Sequence, residues 1–380
     1  MLGINSNINS LVAQQNLNGS QSALSQAITR LSSGKRINSA ADDAAGLAIS
    51  TRMQSQINGL DQGVSNANDG VSMIQTASSA LSSLTSSLQR IRQLAVQAST
   101  GSLSPSDQAA LQQEVSQQIA EVNRISSQTT YNGTNILNGS AGNVTFQVGA
   151  NVGQTISLNL SQNLSAAQIG GGLVQTGQTV GTIAVSLSAT GAYTSAGATI
   201  TSINVLSDGQ GGYTFTDQNN TAIASGVATA IFSSGTAAGT GTAITTLALS
   251  AGAESPGAAS TAQVASVAQI NAINAPPTVS NLNVSTVTGA NQAMVSIDNA
   301  LQTVNNLQAS LGAAQNRFTA IATSQQAEST DLSSAQSQIT DANFAQETAN
   351  LSKAQVLQQA GISVLAQANS NPQQVLKLLQ

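Results

Sequence analysis

The sequence predicts a mainly α-helical protein with a β-rich insertion, in which the N- and C-terminal halves form an elongated antiparallel bundle of long helices. Three observations support this fold class. A proline-free stripe of apolar residues at helical spacing extends from Ala45 to Ala98, and a second extends from about Asn291 past Ile339. Between them the chain changes to short β-branched alternations among Gly, Ser and Thr. The two halves can therefore pair across the whole sequence, with the insertion at one end.

The first long helix is the most strongly marked element. Its apolar residues recur at steps of three or four, which places them on one helix face. At 1.5 Å per residue, roughly fifty residues would make a rod of about 80 Å, which cannot bury this face alone. The returning helix is the expected partner. A strict seven-residue spacing, typical of a face that follows a partner helix, is kept by Leu60, Ala67, Ile74, Leu81, Leu88 and Ala95.

The terminal segments are amphipathic but weakly helical by composition. From Ile4 to Leu31 a narrow apolar stripe runs among Ser, Gln and Asn, so this helix should be marginal until it is packed. We expect it to end near Gly34. Ser39, with Asp42 three residues later, predicts a capping box that opens the long helix. The tail from Phe344 carries a similar stripe and mirrors the first segment.

A third helix and a small hairpin should follow the first long helix. Ser104 to Asp107 supplies an N-cap serine, a proline at the first helical position and an acid. The short preceding loop should fold this helix back antiparallel. Tyr131–Gly133 and Leu137–Gly139 predict turns. Val144–Val148 and Ile156–Leu160 alternate on either side of a glycine-bounded bend, which predicts a β-hairpin.

Residues 173–290 are expected to form a folded β-rich domain. Ser207–Gly209 predicts a hairpin turn. The alternative is a disordered low-complexity linker, because Gly and Ser are abundant. The alternating runs that favour the folded interpretation are 183–187, 200–205, 213–215 and 244–249.

These elements divide the chain into five parts. Residues 1–44 form a terminal helix that pairs with 336–380. Residues 45–172 form the long helix, the third helix and the hairpin, and pair with the returning helix at 291–335; residues 173–290 form the insertion. An elongated subunit with two amphipathic, polar-neutral ends is suited to head-to-tail contacts that repeat into a filament.

Composition excludes most catalytic and nucleic-acid functions. The chain has no histidine and no cysteine, which removes histidine-based catalysis, thiol nucleophiles and nearly all zinc sites. Asp42 and Asp43 are interpreted as acids at a helix N-terminus rather than as a catalytic or metal-binding pair. Ten basic against fifteen acidic residues, with few aromatic side chains, argue against nucleic acid. We predict no catalytic residue, cofactor or metal, and no enzyme.

Export is expected to bypass the general secretory route. The first residues show no basic region, apolar region or cleavage site. No apolar run approaches the roughly eighteen residues that a membrane span needs, so we expect no membrane insertion.

Several long segments closely resemble bacterial flagellin, the major protein of the flagellar filament. The resemblance covers about residues 1–170 and 291–380. Its motifs are Met1-Leu-Gly-Ile-Asn-Ser-Asn-Ile-Asn-Ser-Leu, Leu31-Ser-Ser-Gly-Lys-Arg-Ile-Asn-Ser-Ala-Ala-Asp-Asp, Leu88-Gln-Arg-Ile-Arg-Gln-Leu-Ala-Val-Gln, Tyr131-Asn-Gly, Phe146-Gln-Val-Gly-Ala and Leu357-Gln-Gln-Ala-Gly-Ile-Ser-Val-Leu-Ala-Gln-Ala-Asn.

The resemblance implies an extracellular homopolymer that serves swimming motility. The terminal helices would form the inner tube, the long helices the surrounding outer tube, and the insertion would face outwards. Export would use the flagellar type III apparatus, with an export chaperone on the C-terminal helices and with cap and hook-junction proteins as further partners. The residues assigned to the inner tube are Ile8, Leu11, Leu24, Ile28, Leu31, Leu357, Ile362, Leu365, Leu376 and Leu379.

The resemblance also implies recognition by host innate receptors. Arg92 and Gln93 lie where relatives often have Arg-Glu. Leu376, Leu378 and Leu379 resemble a tail seen by cytosolic sensors, although inner-tube packing explains them equally. The positions that match the contact motif of a toll-like receptor are Gln89, Arg90, Leu94 and Glu114; ordinary helix packing is the alternative for these.

Two other functions remain open alternatives, and a third is excluded by composition. A hook-filament junction protein shares the terminal helices, and a surface adhesin could use the insertion, whose many hydroxyls could also carry glycans. An insertion with a zinc peptidase is known in some flagellins, but its His-Glu-x-x-His helix cannot exist in a chain without histidine.

Overall fold

The computed structural model describes residues 7–378 except 175, 191, 193, 195–196, 225–226, 229–230, 233–246 and 249–260. It is mostly helical, with long helices towards both termini and a β-rich insertion between them, which confirms the predicted fold class. The helices are α1 Ile8–Ser33, α2 Ala44–Ala98, α3 Pro105–Gln128, α4 Thr261–Asn274, α5 Val287–Thr340 and α6 Phe344–Leu378.

The strands form three small sheets. β1 and β2 pair around the predicted turn, in which Asn132 and Gly133 both have positive φ, 48° and 78°. β3 and β4 form the predicted hairpin, and β5, β6 and β7 form an antiparallel sheet in that order. The strands are β1 Thr130–Tyr131, β2 Thr134–Asn135, β3 Gly142–Gln147, β4 Thr155–Leu160, β5 Thr179–Leu187, β6 Ile200–Ser207 and β7 Tyr213–Asp217.

The chain folds into two compact units. Unit 1 contains residues 1–67, 147–155 and 320–380, and unit 2 contains residues 68–146 and 156–319. In unit 1, α2 contacts α5 where Ser329 Oγ donates to Asp61 Oδ1 over 2.9 Å. In unit 2 the same two helices meet where Arg92 Nε donates to Asp298 Oδ1 over 2.7 Å. The returning helix is therefore a partner of the first long helix within each unit.

Helix α3 begins where the sequence predicts. Ser104 accepts a hydrogen bond from the Asp107 amide and Asp107 accepts one from the Ser104 amide, with Pro105 at the first helical position. Helix α1 ends at Gly34, whose φ of 70° is the left-handed conformation that glycine adopts without strain.

The predicted capping box at the start of α2 was wrong. The helix begins at Ala44, and its cap is Asp43, whose Oδ1 accepts from the Gly46 amide over 2.9 Å. Asp42 Oδ2 instead accepts from the amide and hydroxyl of Ser39, both over 3.0 Å, within the preceding turn. Either of two adjacent acids can cap a helix. Here Asp42 accepts hydrogen bonds within the preceding turn, and Asp43 caps α2.

The predicted apolar stripe of α2 forms the core of unit 2. Its residues from Ile74 to Ala95 at heptad spacing are fully buried, together with Val115 and Val122 of α3 and Ile297 and Val304 of α5. Phe318 of α5 lies in a slot over Gly70, where a Cβ would be 2.6 Å from the ring. In unit 2, helices α3 and α5 therefore cover the apolar stripe of α2.

The insertion is folded, as expected, around an apolar core that also includes Val295 of α5. Tyr213 is 1% exposed, and the rings of Phe215 and Phe232 stack with centroids 4.8 Å apart. Helix α4 was not predicted, although Val264, Val267, Ile270 and Ile273 recur at steps of three. The predicted strand at 244–249 lies outside the described residues, apart from 247 and 248.

The bend between β3 and β4 lies directly on α2 in unit 1. A Cβ at Gly59 would be 2.9 Å from Ala150 Cβ, and one at Gly63 would be 2.1 Å from the Val148 carbonyl oxygen. Asn66 Nδ2 donates to the Gln147 carbonyl over 2.7 Å. These glycines are required because the backbones approach too closely for any side chain.

The substitution Gly63→Ala should lower the free energy of unfolding by about 1–3 kcal/mol, because the bend must move away from the helix. Gly312→Ala is the matched control: it is also a helical glycine, but a Cβ there meets nothing within 4 Å. It should stabilise by roughly 0.5–1 kcal/mol. Thermal unfolding followed by circular dichroism measures both, and shifts of the same sign would contradict the close approach.

Candidate functional site

Helices α1 and α6 pack antiparallel at the ends of the chain. Asn7 Nδ2 donates to the Ala368 carbonyl over 2.8 Å, and the side-chain amide of Gln358 donates to that of Gln21. Near the other end Arg30 Nη1 lies 3.8 Å from Glu347 Oε1. These contacts pair the N-terminal and C-terminal helices, as the sequence predicts.

The side chains that α1 and α6 bury completely are mostly small. They are Ala13 and Ala27 on α1 and Ala354 and Ala368 on α6, together with the carboxyl-bearing Glu347. The partly buried leucines are Leu17, Leu24, Leu31, Leu351 and Leu365. Each alanine removes only one methyl group from water, and the larger side chains of the pair are at most partly covered, so this interface buries a modest apolar area. The pair by itself is therefore weakly stabilised.

Many large apolar side chains of α1 and α6 are exposed. The two helices supply nine of the fifteen exposed large apolar side chains in the described part of the chain, with exposures from 48% to 64%. Leu357 and Val364 are one heptad apart and share a face, whereas Ile362 lies on another. A helix that is apolar on several sides is normally buried. The nine are Ile8, Leu11, Val12, Ile28, Phe344, Val356, Leu357, Ile362 and Val364.

Five of the ten residues assigned to the inner tube belong to this exposed apolar surface, which consists of the nine side chains above. Ile8, Leu11, Ile28, Leu357 and Ile362 are exposed, while Leu24, Leu31 and Leu365 are partly buried. The side chain of Leu376 and the whole of Leu379 lie outside the described residues. Burying nine half-exposed side chains of this size would contribute on the order of 10 kcal/mol.

A short connector, residues 34–43, ties the terminal pair to the long helices of unit 1. The Ala342 amide donates to the Gly34 carbonyl over 2.9 Å, and the Arg36 amide donates to the Thr340 carbonyl over 2.6 Å. Arg36 Nη2 also donates to the Ile339 carbonyl over 2.7 Å. The incoming and outgoing connections are thereby held side by side.

Asp42 links α1 to the connector. Its carboxylate accepts from the Ser39 hydroxyl, from the Gln26 amide and from the backbone amides of Asn38 and Ser39. These donors hold the pKa of Asp42 below its ordinary value, with the Ser39 hydroxyl the largest cause. The carboxylate therefore acts as a structural acceptor rather than as a catalytic acid.

The four positions that match the toll-like receptor motif do not share one environment. Arg90 Nε donates to Glu114 Oε1 over 2.8 Å, which joins α2 to α3, and Gln89 is exposed beside them. Leu94 is 1% exposed and packs in the core of unit 2. The structure thus brings Arg90 and Glu114 together at the surface and places Leu94 beneath it.

Arg92 has a partner that the sequence did not reveal. Its Nε and Nη2 donate to the two carboxylate oxygens of Asp298 over 2.7 and 3.3 Å, and this contact raises the pKa of Arg92. The two residues are far apart in sequence, so only their positions on facing stripes of α2 and α5 could have suggested the pair.

Within the described residues, no three His, Cys, Asp or Glu side chains cluster in a way that could hold a metal ion. None of the helices in that part of the chain is both long and apolar enough to span a bilayer.

Three family models match the chain in order. The bacterial flagellin N-terminal helical region matches residues 4–142, the flagellin D2 domain matches residues 172–273, and the bacterial flagellin C-terminal helical region matches residues 294–379. The insertion, which the sequence alone left unassigned, is thus similar to a known domain.

Named relatives align over the full chain. A flagellin from Serratia marcescens is 42% identical over 377 residues, covering 99% of each chain. Flagellin B from Vibrio cholerae is 36% identical over 395 residues, covering 100% of this chain and 99% of the relative. The solved structure of FliC from Burkholderia pseudomallei is 65% identical, with a TM-score of 0.59, and covers 66% of this chain and 100% of that one.

Proposed function

The chain belongs to the bacterial flagellin family and is a structural subunit of the flagellar filament, and we propose that its terminal helices become ordered as subunits assemble. The observation that carries this proposal is the exposed apolar surface of α1 and α6. The alanine contacts between these helices leave it uncovered, and neighbouring subunits are the natural cover in a polymer.

The energetics favour folding on assembly. Ordering one residue costs roughly 1–2 kcal/mol of backbone entropy, and α1 and α6 contain 26 and 35 residues. Their hydrogen bonds and small-residue contacts offset only part of this, because isolated helices are marginal in water. Burial of the exposed apolar surface supplies the missing stabilisation only when other copies are present.

The proposed arrangement follows from the same surface. Residues 1–44 and 336–380 would form the inner tube, where every side of a helix meets another helix. Residues 45–172 and 291–335 would form the outer tube, and 173–290 would face outwards. The core of the insertion, with Tyr213 and Phe215 buried in it, is completed by Val295 of the same chain. It supports this outward role because it needs no cover from neighbouring subunits.

Several partners are proposed from the family and the exposed surfaces. An export chaperone would cover Val356, Leu357 and Ile362 of α6 before type III export. Cap and hook-junction proteins would contact the growing and basal ends. For a toll-like receptor, Gln89, Arg90 and Glu114 are the accessible part of the proposed contact.

The alternatives are less well supported. Three flagellin family models match in order and relatives named flagellins align over the full chain, which favours a filament subunit over a junction protein. Membership of this family implies a structural, non-enzymatic protein. The relatives named flagellins belong to the flagellar filament, which is an extracellular structure.

The substitution Val364→Gln should raise the critical concentration for polymerisation about fivefold to tenfold, because it replaces an apolar side chain that assembly buries. Val264→Gln on α4 is the matched control: the same residue type is 55% exposed there and 57% exposed at position 364. Sedimentation of seeded filaments measures both. Equal effects of the two variants would argue against the exposed surface of α6 as the assembly surface.

The substitution Arg30→Gln should lower the temperature at which filaments dissociate, because it leaves the Glu347 carboxylate, 10% exposed, without its cation. We expect the variant to lose about 1–3 kcal/mol of stability. Arg124→Gln breaks an exposed pair with Glu121 and should change stability by less than about 1 kcal/mol. Light scattering during heating measures the dissociation temperature of both kinds of filament. An unchanged dissociation temperature in the Arg30→Gln variant would contradict the buried pairing.

A further inference from the structure

The two segments that connect the insertion to the helices lie side by side. The incoming segment, residues 166–174, and the outgoing segment, residues 272–282, are joined where the Val279 amide donates to the Ile169 carbonyl over 3.0 Å. The Ser280 amide donates to the Ala166 carbonyl over 2.9 Å. Val279 is fully buried between them.

One face of α5 holds both segments through a strip of three polar side chains. Gln292 Nε2 donates to the Ala272 carbonyl over 3.0 Å. Ser296 Oγ donates to the Pro277 carbonyl over 2.8 Å, and Asn299 Nδ2 donates to the Leu173 carbonyl over 3.3 Å. Positions i, i+4 and i+7 lie on one helix face, so the three donors, Gln292, Ser296 and Asn299, form a continuous strip.

The contact excludes water. Ser296 is fully buried and Asn299 is 8% exposed, so their hydrogen bonds do not compete with solvent. Gly170, with a φ of 86°, passes so close that a Cβ would lie 2.6 Å from Ser296 Oγ. Its lack of a side chain lets the incoming segment reach the helix.

The outgoing segment is also tied into the insertion itself. Asn274, 5% exposed, donates through Nδ2 to the Gly211 carbonyl in the turn between β6 and β7. The same segment thus contacts the sheet of the insertion on one side and α5 on the other.

We propose that Gln292, Ser296 and Asn299 form a clasp that fixes the insertion to α5, so that it moves as one rigid body with the helices of unit 2. The incoming segment is glycine-rich and the outgoing segment contains Pro276 and Pro277, and linkers between domains ordinarily permit domain motion. Here three backbone carbonyls of these segments, those of Leu173, Ala272 and Pro277, accept hydrogen bonds from side chains of one helix. This property belongs to the single subunit and does not depend on polymerisation.

Spin-label distances test the clasp. The chain has no cysteine, so nitroxides can be placed at Val96→Cys on α2 and Val264→Cys on α4, both exposed. Double electron–electron resonance on the full-length monomer should give one narrow distance distribution. In the variant Gln292→Ala/Ser296→Ala/Asn299→Ala the distribution should become at least twice as wide.

The control replaces a polar pair on the same helix that holds no linker. Gln302 donates to Asn306 over 2.9 Å at the surface, and Gln302→Ala/Asn306→Ala should leave the distribution narrow. Circular dichroism establishes that each variant is folded; if the triple variant is not, Ser296→Ala alone is measured. A wide distribution in the unmodified clasp, or a narrow one in the folded clasp variants, would overturn the proposal.

Discussion

The terminal helices carry apolar surface that the folded chain cannot cover by itself, and the organisation of the molecule follows from this constraint. The apolar side chains that α1 and α6 bury completely are alanines, and their leucines are only partly buried. Larger side chains such as Ile8, Leu11 and Ile362 face outwards on several sides. A monomer leaves this apolar surface exposed to water, and we propose that neighbouring copies cover it in the polymer.

The remaining parts of the chain are self-sufficient. The stripe of α2 is covered by α3 and α5 in unit 2, where Leu81, Leu88 and Val304 are fully buried. The core of the insertion includes Val295 of α5, and the polar clasp that we propose joins it to the same helix. Stability is thus concentrated in the middle of the sequence, and the adhesive surface is concentrated at its two ends. A subunit that must be exported and then polymerised needs this division.

The sequence was most informative where one local signal decides the structure. The heptad at Leu81 and Leu88 and the cap at Ser104 were predicted because spacing and adjacent residues suffice. It failed where neighbours compete, as at Asp42 and Asp43, where either acid could cap α2. It also could not find contacts between distant residues, such as Arg92 with Asp298 or Ser296 with Pro277. Helix α4 was missed because its small and β-branched residues resemble those of the surrounding strands.

The candidate site, too, could be predicted from the sequence only in part. The apolar residues of α1 and α6 could be assigned to an assembly surface from periodicity and resemblance, but only the structure shows which of them the monomer leaves exposed. Leu94 illustrates the limit of a motif, because a matching residue can lie in the core rather than at the surface. Burial depends on which helices pack together, and that information is spread over the whole chain.

The most direct test uses cross-linking in the cysteine-free chain. Ser10 Oγ donates to Asn369 Oδ1 over 2.8 Å across α1 and α6, so Ser10→Cys/Asn369→Cys reports the terminal pairing. Gln336 donates to Gln54 over 3.2 Å across α5 and α2, so Gln54→Cys/Gln336→Cys is the control. With a short bis-maleimide, the control pair should react in monomer and filament alike, and the terminal pair only in the filament. Equal reaction of the terminal pair in the monomer would contradict folding on assembly.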